Sequence, residues 1–136
     1  MRLITLLLAA ALTAATPGVA RASEAVLPAF QGRPDIKVTA TAYTSGPEST
    51  GKRPGHPQYG ITFSGTKARE GRTIAVDPRK IPLGSRVYIH ELRETRYAED
   101  TGGAIRGNRI DIYMDDLSQA LQWGMQEIHI SYDPKI

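Results

Sequence analysis

The sequence predicts a small, mainly β domain closed into a barrel, with one short helix. Three observations carry that expectation. Apolar and polar residues alternate in about six short runs, one later segment has helical spacing, and turn residues fill the intervals, with 13 glycines and 9 prolines in 136 residues. Many short strands separated by tight turns favour a sheet that closes on itself and leaves no edge.

The chain opens on a segment that is not expected to belong to the fold. Met1-Arg2 precedes an apolar run from Leu3 to Ala15, Pro17-Gly18 breaks it, and Ala20-Arg21-Ala22 places small residues where a signal peptidase reads. Residues 1–22 are therefore read as a secretory signal peptide. The run falls short of the roughly 20 apolar residues that span a bilayer, so no membrane anchor is expected after processing. Removing 22 of 136 residues leaves 114, enough for one domain. Residues 23–35 read as a loose leader and residues 36–136 as the barrel domain.

The strands follow in order. Ile36, Val38, Ala40 and Ala42 alternate with Lys37, Thr39, Thr41 and Tyr43, a period of two. Thr44 to Gly60, with four glycines and three prolines, is a long irregular loop of the kind that tends to carry function. Arg72–Val76 is a strand stopped by Asp77-Pro78, and Ile81–Ser85 is a turn. Arg86–Ile89 and Thr95–Glu99 pair through the polar turn Glu91–Glu94. Arg109–Met114 places Ile110, Ile112 and Met114 on one face, with Asp111 and Tyr113 on the other. The one helix starts at the cap Asp116, with Gln119 three residues on. It offers Leu117, Ala120 and Leu121 as its apolar stripe and stops at Gly124. Glu127–Tyr132 is the last strand.

Composition excludes several classes of chemistry. There is no cysteine, so disulfides, thiol catalysis, thiolate metal sites and a lipidated N-terminal cysteine are ruled out. The signal peptide takes Arg2 and Arg21 with it. Seventeen cations become 15 against 14 acids, and the net charge falls from +3 to +1. With no basic tail or stripe, nucleic acid is not an expected partner.

The residues with chemical potential are aspartates. Asp100-Thr101-Gly102 is the triplet of aspartic proteases, but the apolar strand that should embed it is missing. Asp77, Asp100 and Asp111 lack the clustered spacing of a hard-cation loop, and His56, His90 and His129 lack ligand spacing, so no metal is expected. Asp77 before Pro78 and Asp100 before Thr101-Gly102 also fit plain turn roles. Asp111 is different. A carboxylate between two isoleucines in a strand is poor strand chemistry and asks for a functional reason.

Several stretches together resemble one family. They are TATAYT (Thr39–Thr44), SGT (Ser64–Thr66), GRTIAVDPRKIPLGSRVYI (Gly71–Ile89), AEDTGGAIRGNRIDIYM (Ala98–Met114) and the terminal strand. From about Val38 to Ile130 they look like the 3D domain, named for its three aspartates. It occurs in bacterial stationary-phase survival proteins and in membrane-bound lytic transglycosylase A. The resemblance implies a six-stranded double-psi β-barrel and cleavage of peptidoglycan glycan strands. It maps the three aspartates onto Asp77, Asp100 and Asp111. Phe63 stands where the family usually has a small residue, His90–Tyr97 is charged where a glycine-rich hairpin is common, and the loop from Ser45 to Tyr59 is long.

On this resemblance the expected activity is that of a lytic transglycosylase acting in the periplasm or outside the cell, without cofactor. Asp111 is the expected general acid and base, Asp100 assists by charge or hydrogen bonding, and Asp77 anchors the site. Tyr43 would stack on a sugar and Thr66 would donate to the glycan. Gly102 and Gly103 would let the backbone approach it, and Arg109 with Arg106 would meet its carboxylates. The alternative from another class is a barrel that binds glycan without cutting it.

Overall fold

The computed structural model describes residues 30–134. The segment read as a signal peptide and the first part of the expected leader lie outside the described residues. The elements are β1 (Ile36–Tyr43), α1 (Pro47–Thr50), β2 (Thr73–Val76), β3 (Arg86–Ile89), β4 (Glu94–Asp100), β5 (Arg109–Tyr113), α2 (Leu117–Trp123) and β6 (Gln126–Asp133). The six strands close into a barrel in the order β1-β5-β2-β4-β3-β6. Two neighbours are parallel, β1 with β5 and β2 with β4, and the other four pairs are antiparallel. Parallel neighbours need crossover connections rather than hairpins, as the expected double-psi barrel does.

Alternation decides which side chains fill the ring. Val38, Ala40, Ile74, Val76, Val87, Ile89, Ala98, Ile110, Ile112, Ile128 and Ile130 point inward and form one core. β-Branched residues predominate because they suit a pleated, buried surface. Their outward neighbours are left free to build a site.

Three expectations need correction. The loop after β1 is not wholly irregular, because Gly46 starts the single turn α1 with Pro47 at its first position and Gly51 ends it in the left-handed region. There are thus two short helices among the described residues, not one. α2 is capped as expected, Asp116 accepting from the Gln119 N–H at 3.1 Å, but its apolar stripe faces elsewhere. Ala120 is buried and Trp123 packs on the core, its indole N–H donating to Ala40 O at 3.2 Å, while Leu121 is 73% exposed. In a two-turn helix the bulky indole, set about a third of a turn from Leu117 and nearly half a turn from Leu121, chooses the docking face. Finally, the end of the leader is not loose. Phe30 is buried and stacks on Tyr88 at 5.6 Å, and Arg33 pairs with Asp133.

Candidate active site

The register brings two of the three aspartates into one row. Asp111 on β5 sits between Thr41 of β1 and Ala75 of β2, and Ala75 in turn faces Asp100 on β4. That last pairing depends on an irregularity. Ile74 faces Ala98, but the next residue, Ala75, faces Asp100, so Glu99 is the extra residue of a β-bulge. A bulge re-aims a side chain. Here it sends Asp100 to the row of Asp111, while Glu99 turns to Arg72 and Thr73, at 2.8 and 2.9 Å.

Around this row lies a cleft of about 230 Å³. Tyr43, Ala75, Asp100, Gly102, Ile105 and Asp111 line it, together with Ser49, Thr50 and Lys52 from α1 and the turn after it. The two carboxyl groups are furnished very differently. Asp100 accepts from the Tyr43 hydroxyl at 2.8 Å and from the backbone N–H groups of Phe63 and Thr101, both at 2.9 Å. Asp111 has a buried oxygen, Oδ1, with no hydrogen-bond partner. Burial pushes its carboxyl up to about 6, the nearby negative charge of Asp100 adding to the rise and Thr41 and Arg109 opposing it. The Tyr43 hydroxyl is raised above its ordinary value by burial and then by Asp100. The Tyr43 ring meets Tyr113 edge-on at 5.4 Å, and the Tyr113 hydroxyl lies 3.0 Å from Ser45 Oγ.

Asp77 is not in the cleft lining. It is 2% exposed, and both its oxygens are engaged. Arg79 donates from its side chain at 3.1 and 3.0 Å and from its backbone at 3.1 Å, and Gly107 N–H donates at 2.8 Å. The Arg79 guanidinium and the Gly107 amide hold this carboxyl well below the usual carboxylate range. It ties the end of β2 to the turn that launches β5, two residues before Arg109 and four before Asp111.

The other expected residues divide. Tyr43 and Gly102 line the cleft. Gly103 sits in open space, and Arg106 is exposed with its Nε on Gly103 O at 3.2 Å. Arg109 reaches Thr41 Oγ1 at 3.5 Å and has a buried, unpartnered Nε beside Asp111. Thr66 bonds Thr62 at 2.8 Å and lines a different cavity, described below. Reading the sequence did not single out Ser49, Thr50, Lys52 or Ile105. Proline and glycine density hid the turn of helix that delivers the first three. Among the described residues no group of three or more His, Cys, Asp or Glu side chains is arranged to hold a metal ion.

Comparison with known proteins agrees with the motifs. Two proteins of Bacillus subtilis strain 168 are similar along most of this chain. The cell wall-binding protein YocH is 42% identical over 96 residues, 71% of this chain and 31% of that protein. The putative cell wall shaping protein YabE is 39% identical over 95 residues, 70% of this chain and 22% of that protein. This chain thus spans less than half the length of either relative. Among solved structures, the lytic transglycosylase MltA of E. coli with bound chitohexaose overlaps 56% of this chain and 28% of its own, at 19% identity and a TM-score of 0.46. Residues 72–132, which run from the residue before β2 into β6 and include Asp77, Asp100 and Asp111, match the family described as the 3D domain, and it is a 3D domain that this part of the chain carries.

Proposed function

We propose that this domain acts outside the cytoplasm as a lytic transglycosylase on the glycan strands of peptidoglycan, with Asp111 as both acid and base. The observation that carries the reading is the Asp111 carboxyl. It lines a cleft, has one oxygen buried without a partner, and ionises near 6 rather than at its ordinary 3.8. A group so poised keeps a protonated fraction near neutral pH and is a competent base once it has given the proton up. Asp111 donates to the glycosidic oxygen as the bond to C1 breaks. Its carboxylate then takes the proton of the C6 hydroxyl on the same muramoyl residue, whose oxygen closes on C1. The acid is regenerated, no water is consumed, and ring closure within one sugar has the entropic advantage of an intramolecular step.

Asp100 holds a negative charge beside Asp111 and fixes Tyr43 across the cleft. Asp77 acts at a distance by holding the turn before β5. The cleft also has room for Tyr43 to touch a sugar. Mass spectrometry of purified peptidoglycan digested with the protein tests the assignment. Fragments ending in 1,6-anhydromuramoyl residues are expected, and reducing ends alone would indicate hydrolysis instead. The name of the relative YocH, a cell wall-binding protein, favours a second reading, a barrel that binds the strand without cutting it. That reading predicts sedimentation with peptidoglycan and no soluble fragments.

A further inference from the structure

Resting on the reading of the domain as a peptidoglycan-strand enzyme, we propose that the outer face of β3 and β4 carries a second subsite, which takes the carboxylate-bearing peptide substituent of the strand. The cleft holds about 230 Å³, below the roughly 300–1,000 Å³ of a site that encloses a drug-sized ligand. A polymer bound there must rest on protein beyond the mouth. On the other side of the turn that follows Ile61 lies a larger cavity, of about 580 Å³. The turn is pinned over the β4 bulge, Phe63 N–H on the Asp100 side chain and Ser64 N–H on Glu99 O at 3.0 Å. Consecutive residues of β4 therefore serve the two cavities, Asp100 the cleft and Glu99 its neighbour.

Two arginines and two acids line the larger cavity, and surplus positive charge lies beside it. Arg86 stands directly across from Tyr97 in the β3/β4 register, and the Arg72 guanidinium lies 4.7 Å above the Tyr97 ring. Both arginines line this cavity, and the Arg86 guanidinium lies 5.9 Å above the Phe30 ring. The local acids are already engaged, Glu99 by Arg72 and Asp133 by Arg33 and Arg86. The Arg72 and Arg86 side chains are still 48% and 46% exposed, which leaves N–H donors facing outward. Thr66 and Arg72 continue into an adjoining depression with Lys67 and Arg69, neither of which has an acidic partner among the described residues. A glycan backbone without peptide offers this excess of cations only the lactyl carboxylates, which are held close to the sugar rings in the cleft. Peptide carboxylates reach beyond the rings, and guanidinium groups bind them with two parallel hydrogen bonds.

The experiment uses full-length protein carrying Asp111→Asn, so that binding is read without cleavage. Its affinity is measured for glycan strands of matched length, either peptide-substituted or stripped of peptide by an amidase. Arg86→Gln and Arg69→Gln are added separately. Arg86 is chosen over Arg72 because Asp133 keeps Arg33, whereas losing Arg72 would strand the buried Glu99. The substituted strand is expected to bind more tightly. Each added substitution should erase about three- to fivefold of that preference, the scale of an exposed charge pair, and leave the stripped strand unaffected. Equal binding of both strands by the parent, or equal weakening of both by the added substitutions, overturns the subsite. Binding of neither strand overturns the strand-enzyme reading itself.

Discussion

Asp111 combines two properties that oppose each other in a folded protein, an ionisable group and an environment that resists its charge. Two consequences can be measured. Asp111→Asn should reduce cleavage by ~10²–10⁴-fold, since an amide neither gives nor retrieves the proton, and fragment release from peptidoglycan checks this. The same variant should alter stability in a defined pH window. The folded-state carboxyl ionises near 6 and the open-chain group near 3.8, so the folded state binds more protons between those values. The native protein should therefore lose stability as pH rises from about 4 through about 6, while the Asn variant shows no such loss. Thermal unfolding of both proteins across that range checks the sign, and parallel curves would contradict it. Asp111 was legible in the sequence because a carboxylate between Ile110 and Ile112 has no structural excuse. The hydrogen bond from Tyr43 to Asp100 was not, because it joins residues 57 apart in sequence that only the bulge in β4 brings into reach.

Among the elements, the turn between β4 and β5 separates two glycines that the sequence treats alike. A Cβ at Gly102 would meet the Ile105 side chain at 3.0 Å, whereas one at Gly103 would meet nothing within 4 Å. Gly102→Ala should push Ile105, which lines the cleft, and weaken glycan binding. Gly103→Ala should bind as the parent does. Titration of each variant with soluble glycan fragments distinguishes them, and equal affinities would show that Ile105 gives way freely. The limits of reading elements from sequence have physical causes here. Strand periodicity survived because every strand has one face in the core. The stripe assigned to α2 failed because Trp123, not the leucines, settles on the barrel. The single turn α1 was masked by the prolines and glycines that begin and end it.

At the scale of the whole molecule, closure replaces edges with neighbours, so each strand has a partner on both sides. The core depends on large β-branched side chains with no exposure. Ile74→Ala should cost roughly 2–5 kcal/mol, read from the urea midpoint at constant slope. The number and position of strands could be read from alternation, but the ring order β1-β5-β2-β4-β3-β6 could not, because period-two patterning says which face is buried and nothing about which strand lies alongside. That order closes on β1 and β6, which run antiparallel with Ile36 opposite Ile130 and Ala40 opposite Gln126. The chain thus enters and leaves the barrel at the same corner, where Arg33 grips Asp133. Tension applied through those two ends would load the β1/β6 ladder from that corner, one rung after another, instead of sharing the force among all rungs at once. The barrel should open as a zipper does, at low force, after the Arg33–Asp133 clasp gives way.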